Sequence, residues 1–371
     1  MRVAHILDSL NRGGAEMLEL DVCRNAKSNG LDLIFIATGG GDLEEDFLHS
    51  GVEFMRLQRK LPIDLGLAGR LRKAIQDRDV NIVHSHQAVD ALHVYLATRG
   101  TGVKTVLSHH GGSLDAKNQI ALKFLVPLMD ANIAVSQDLL EHLAAENKLD
   151  TSKNFFVLYN GVDNKRLRPA GGRALRGELG LAEGKILGMI ANFYPGARKG
   201  QLTVCKSLPL FFSRTTAAHF AFIGGSSPAA PQVYDECVDF CRHAGISDRV
   251  HFLGKRADIP EVLHSLDLFV FSSLQEGGLP IAVIEAFMVG LPCLISDIGP
   301  LREVSGDGKY ARLFEAGNAE DLARQLRELI DDSKSRARLG AQAREWAMQQ
   351  FSIDTYLEIL TRLYATLQPV A

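Results

Sequence analysis

Two apolar runs, residues 266–271 and 293–295, bracket the segment LQEGGLPIAVIEAFMVGLP, and both read as buried strands. The apolar residues between them cross over as a helix, which makes the two strands parallel and the unit a β-loop-α-β turn. The helix start is built for a ligand. Gly277 and Gly278 let the backbone come close, and Pro280 suits the first helical position, where no donor is lost. The free N–H groups of the first turn point above the sheet, so an anion is the natural occupant. Within IAVIEAFMV, Glu285 is the only charged residue. A carboxylate on so apolar a helix needs an ion partner, a hydrogen bond or a ligand.

The same alternation runs along the whole chain. Strands are expected at 2–7, 31–37, 51–57, 81–83, 103–107, 131–135 and 155–158, with a helix beginning near Ala15 after the loop SLNRGGAE and Ser136 as the N-cap of another. A charged stretch, 164–184, interrupts the pattern with RLRPAGG and RALRGELG. A second series follows at 186–190, 219–223, 250–253, 266–271, 293–295 and 310–314, and then helices over 319–350 and 353–367. Two α/β halves joined by a linker predict two doubly wound, Rossmann-like domains facing each other across a cleft. The expected bounds are 1–165, 166–352 and a terminal helical segment, 353–371, packing back toward the first domain.

At 371 residues, with a 46% hydrophobic content, the chain is long enough for two cores. A net charge of −3 gives no composition-level case for nucleic acid. The apolar run at the N-terminus is short and ends at Asp8, so neither a signal peptide nor a membrane span is expected. Five cysteines without regular spacing fit a reducing compartment, and Cys237 and Cys241, one helical turn apart, read as core thiols.

Loops at the strand ends carry the chemistry. Gly13 and Gly14 precede a helix and could offer amides to a phosphate or a sugar oxygen, or simply form a tight turn. His109 and His110 end a strand beside Gly111 and Gly112, a placement that favours at least one of them facing the cleft. His84 and His86 are weaker candidates, since residues at alternate positions share a face and could merely cap the strand. Asn160 and Asp163 suit a turn with a positive backbone dihedral. In the second half, Arg198 and Lys199 lie between Gly196 and Gly200, and a guanidinium fork beside a point charge suits a diphosphate.

Taken in order, GGAE, HHG, NGVD, the Lys-Gly loop, FLG, EGGLPIAVIEA and GLPCLISDIGPLREV resemble the family-four retaining glycosyltransferases of GT-B fold, over essentially the whole chain. The resemblance implies transfer of a sugar from a nucleoside-diphosphate donor, UDP-linked by expectation, with retention of configuration and with no metal or other cofactor. It places Gly13 and Gly14 near the donor phosphate or sugar and His110 on the transferred sugar. Lys199 and Arg198 would hold the diphosphate, Leu253 and Gly254 line the base pocket, and Glu285 accept from the ribose hydroxyls. Glu276 would touch the sugar while Gly277, Gly278 and Leu279 lie at the phosphate; Glu303 stands where the family often has an acid.

Two positions depart from the pattern. Eight residues separate Glu276 from Glu285, one more than usual. Asn192 and Phe193 also stand where the family often carries an arginine before the phosphate lysine. The basic segment 56–78, with Arg56, Arg59, Lys60, Arg70, Arg72 and Lys73 among leucines, fits either a solvated helix face or peripheral contact with an anionic membrane from the cytoplasmic side. The acceptor expected is a saccharide or a lipid-linked one, in cell-surface polysaccharide or glycolipid synthesis. Competing readings are a nucleotide-sugar epimerase of the same fold and a catalytically weakened binding or scaffold subunit.

Overall fold

A computed structural model describes residues 1–111, 116–146, 148–169, 175–181, 183–215, 217–227 and 230–368. Gly112 and the linker positions 170–174 and 182 lie outside the described residues. The chain divides into two compact units, Met1–Asp163 with Phe351–Ala371, and Asn164–Gln350.

The first unit holds a seven-stranded sheet of β1 (Arg2–Leu7), β2 (Asp32–Ala37), β3 (Glu53–Arg56), β4 (Ile82–Ser85), β5 (Lys104–His109), β6 (Ala131–Ala134) and β7 (Phe155–Val157). Its order is β3-β2-β1-β4-β5-β6-β7, with every pair parallel. The near-continuous apolar strands are buried along almost their whole length, because helices cover both faces. The chain reverses its winding between β1 and β4, and ligands of open α/β sheets bind beyond the carboxyl ends of strands at such a point.

The terminal helix Ile353–Leu367 belongs to this unit. Ile353, Tyr356, Leu357, Leu360 and Tyr364 share one apolar cluster with Val3, Leu7, Leu18 and Phe35. Gly161 of the NGVD turn makes this docking possible, since a Cβ there would lie 2.6 Å from that of Tyr356. The expected positive dihedral at Asn160 or Asp163 is not found; Asp163 instead ties the turn to the helix Gly14–Asn25, accepting from the Asn25 amide at 3.1 Å and donating its N–H to Asp21 at 3.0 Å.

The second unit contains β8 (Lys185–Ile190), β9 (Ala218–Ile223), β10 (Val250–Phe252), β11 (Leu268–Phe271), β12 (Cys293–Ser296) and β13 (Arg312–Phe314) in a parallel sheet of order β10-β9-β8-β11-β12-β13. It repeats the winding of the first, with its switch point between β8 and β11. Leu266 is not in a strand: it caps the helix Ile259–Ser265. The helical stretch expected over 319–350 is formed by two helices, Ala319–Asp331 and Ser333–Gln350. Cys237 and Cys241 are buried free thiols, as is Cys205.

Candidate functional site

In the second unit the chemistry gathers at the switch point. The loop after β8 carries Lys199 and the loop after β11 carries Glu276, and the Lys199 ammonium reaches both carboxylate oxygens of Glu276, at 2.5 and 2.6 Å. Both side chains are largely buried, 18% and 7% exposed. The two loops are stitched together by backbone: the Arg198 carbonyl accepts from the Leu274 N–H at 2.7 Å and from the Ser273 hydroxyl at 3.1 Å. The Arg198 side chain is exposed.

Pro280 is the N-cap, not the first helical residue, of the helix Ile281–Met288 that follows Gly277, Gly278 and Leu279. Glu285 on that helix is only 8% exposed in its side chain and is paired with Arg166, 2.7 Å away. Along the same sheet edge, the Leu253 N–H extends the ladder to Phe222, and the Gly254 carbonyl accepts from Gly224. Asn192 and Phe193 supply no positive charge here. Asn192 accepts from the Gly225 N–H at 2.9 Å, and Phe193 is buried among Phe222, Tyr234 and Phe252.

In the first unit, Gly13 is the N-cap of the helix Gly14–Asn25. The Glu16 carboxyl folds back over this turn, 2.5 Å from where a Cβ on Gly13 would stand. Burial, with Asp8 nearby, raises that carboxyl to about 7. Deeper along β1 and β4, the register sets His5 beside His84. Around them is a polar network that is buried except at His110. Glu19 contacts His5 Nδ1 at 2.5 Å and His86 Nε2 at 3.2 Å. Tyr364, from the terminal helix, bridges His5 at 2.7 Å and His84 at 2.6 Å. His84 reaches Ser108 at 2.8 Å, and His86 reaches His110 at 3.0 Å.

Burial would raise the Glu19 carboxyl, but His86 and His5 hold it well below the usual range. Burial pushes His84 and His86 down, and His110 down to about 3, so these rings are neutral. The ligand atoms of His5, His84 and His86 lie within 4.8 Å of one another, a spacing a metal ion could bridge, yet each ring nitrogen already faces a protein partner.

Comparison with known proteins accounts for both halves. The family described as Glycosyltransferase Family 4 matches residues 12–166, and Glycosyl transferases group 1 matches residues 174–346. The chain belongs to the family 4 glycosyltransferases. It is 27% identical over 319 residues to the N-acetyl-alpha-D-glucosaminyl L-malate synthase of Bacillus anthracis, covering 82% of this chain and 79% of that one. It is 26% identical over 355 residues to the UDP-Gal:alpha-D-GlcNAc-diphosphoundecaprenol alpha-1,3-galactosyltransferase of Escherichia coli, covering 90% and 88%. The fold matches Anabaena HepE in complex with UDP and glucose at a TM-score of 0.85, 20% identity and coverage of 98% and 99%. It matches a glycosyltransferase from Rickettsia africae at 0.86, with 18% identity and coverage of 99% and 98%.

For this glycosyltransferase, residue reading found the Lys199 and Glu276 loops and the helix bearing Glu285, and the structure joins the first two directly. Despite the additional residue in its loop, the Glu276 carboxylate is turned onto Lys199. His109 does not belong with His110: it is buried, bonded to Asn132 at 3.2 Å and stacked on Phe155. Residue reading missed Arg166 as the partner of Glu285, and Glu19, His5 and Tyr364 as partners of the histidines. The alternate spacing of His84 and His86 on one strand was the available signal. In the basic segment most charges are engaged within the protein: Arg56 with Glu44, Arg59 with Asp8, Arg70 with Asp64 and Lys73 with Asp77. No helix among the described residues is long and apolar enough to cross a membrane.

Proposed function

We propose that the chain transfers a hexose or related sugar from a nucleoside-diphosphate donor, UDP-linked, to a saccharide or lipid-linked acceptor, with retention of configuration and without a metal ion. The observation that carries this reading is the Lys199–Glu276 pair held at the switch point of the second sheet. A lysine there supplies a point charge for a diphosphate and offsets the negative charge that grows on the departing nucleotide. In this reading Glu276 holds Lys199 in place until donor phosphate displaces it, and then serves the sugar. Arg198, exposed on the same loop, adds a second cation. Leu253 and Gly254 border the base, Glu285 takes ribose hydroxyls through the oxygen not engaged by Arg166, and the amides of Gly278 and Leu279 meet phosphate. Gly13, Gly14 and His110 attend to the transferred sugar.

A UDP donor is supported by the UDP-Gal-dependent relative from Escherichia coli and by the UDP complex of Anabaena HepE. The same relative's diphosphoundecaprenol substrate supports a lipid-linked acceptor in surface polysaccharide or glycolipid synthesis. So do the apolar residues Leu61, Ile63 and Leu65, which are 60%, 61% and 71% exposed beside Lys60. With the arginines engaged internally, contact with a membrane surface falls mainly to these apolar side chains. A thermal-shift screen over UDP, GDP, ADP and their sugars tests the donor, since a bound nucleotide raises Tm by mass action. The largest shift is expected with UDP-sugars. A larger shift with GDP-sugars would overturn the base assignment, and isomerisation of donor without acceptor would identify an epimerase instead.

A further inference from the structure

The contacts of Glu19 set the polarity of the branch that runs through His86. A carboxylate only accepts, so the ring nitrogens facing it carry the protons: His5 Nδ1, hydrogen-bonded at 2.5 Å, and His86 Nε2, within ion-pair reach at 3.2 Å. Burial keeps the His86 ring neutral, so its other nitrogen must accept. The Tyr364 hydroxyl bridges the two other rings, 2.7 Å from His5 Nε2 and 2.6 Å from His84 Nδ1. His84 Nε2 in turn lies 2.8 Å from the Ser108 hydroxyl. On the other branch, His86 Nδ1 accepts from His110 Nε2 at 3.0 Å. Six groups are thus linked to a single anion, and the ring of this network that emerges toward the surface is His110, which is half-buried.

We propose that Glu19 and His86 are positioning residues that lock His110 in its Nε2–H tautomer, so that His110 Nδ1 presents a lone pair to a substrate hydroxyl. Among the described residues, His110 Nδ1 has no hydrogen-bond partner. An acceptor at that point selects a group that can donate, such as a sugar hydroxyl, and repels a phosphate or carbonyl oxygen. Because His110 is neutral and its proton is committed to His86, it cannot supply a proton to a leaving group without breaking the chain. The role at the sugar rests on the proposed sugar transfer; the tautomer does not. A metal ion on His5, His84 and His86 would need the lone pairs that the chain uses or the nitrogens that face Glu19, so the two arrangements exclude each other.

Protein labelled with 15N in histidine tests this without substrate. Long-range 1H–15N correlation, assigned with His110→Gln, is expected to show His110 Nε2 protonated and Nδ1 unprotonated. In His86→Phe the preference should relax toward a mixture, with kcat/KM for transfer falling about tenfold, the equivalent of one hydrogen bond. A protonated Nδ1 in the unmodified protein overturns the proposal. So does an unchanged His110 tautomer in His86→Phe, or one equivalent of zinc in the protein as purified. If His86→Phe fails to fold, the spectrum of the unmodified protein decides alone. A correct tautomer in a protein that transfers no sugar would refute the proposed function and leave the positioning intact.

Discussion

A Cβ on Gly200 would stand 1.7 Å from the carbonyl oxygen of Ser272. Gly200 also has φ +65° and is the N-cap of the helix Gln201–Phe212, so the Lys-Gly pair is a structural joint as well as a charge carrier. The joint lets the loop after β8 lie on the end of β11, where Lys199 meets Glu276. Gly200→Ala combines a strained dihedral with a backbone clash, and should cost more than about 2 kcal/mol of stability. It should also weaken donor binding by moving Lys199. Thermal unfolding and donor titration check both; a variant with unaltered donor affinity would separate the joint from the site.

The pairing of Lys199 with Glu276 makes opposite predictions for its two members. Lys199→Ala removes the cation a diphosphate needs and should weaken UDP binding by the worth of a charged hydrogen bond, about 1.5 to 3 kcal/mol. Glu276→Gln removes the carboxylate that phosphate must displace, so UDP should bind several-fold tighter while transfer slows. Calorimetry on both variants reads this directly. UDP binding weakened in Glu276→Gln would show that the glutamate is not the occupant phosphate displaces.

Arg166, at the start of the second unit's sequence, meets Glu285 on the helix Ile281–Met288, and both are mostly buried. Arg166→Ala leaves a carboxylate on an apolar helix without this cation, at a cost of about 2 to 3 kcal/mol. Replacing both, as Arg166→Met with Glu285→Gln, should recover most of that stability, because the uncompensated charge is gone. Denaturant midpoints of the single and double variants check the sign. A double variant no more stable than Arg166→Ala would rule out charge burial as the cause.

What could be read from residues alone was what is local. The strands announced themselves because helices cover both faces of each sheet, so their sequences are apolar without alternation, as in LIFIA of β2 and LFVF of β11. The Lys-Gly and EGGLP loops were legible because a phosphate site is written in a few adjacent residues. The partners were not. His5 meets His84 only through the register of β1 on β4, and Tyr364 arrives from 359 positions away from His5. Arg166 sits in a segment whose charge and glycines read as a linker, although it pairs with the helix Ile281–Met288. Pairings across a sheet or from a returning helix are properties of the packing, and no periodicity encodes them.

Asp90 gives the first unit a pH dependence whose direction can be worked out. Its carboxyl is fully buried, accepts the Thr38 hydroxyl at 2.9 Å, and is raised to about 7 by burial first and Asp8 second, with Arg59 opposing. In the unfolded chain an aspartate titrates at about 3.9. The folded form therefore holds its proton more tightly, and the stability this group contributes is full below about pH 4 and is lost as pH rises toward 7. The neutral buried histidines act in the opposite sense, losing stability as pH falls below about 6.5, so the unmodified protein shows the sum of the two. Asp90→Asn isolates the first term. The amide keeps an oxygen for Thr38 and cannot ionise, so the variant should match the unmodified protein near pH 4 and exceed it at pH 8 by a few kcal/mol, on the order of 1.4 for each tenfold change in proton affinity. Unfolding midpoints of the two proteins measured across that range supply the comparison, and a stability difference that stays constant with pH would mean that Asp90 is ionised in the folded state throughout.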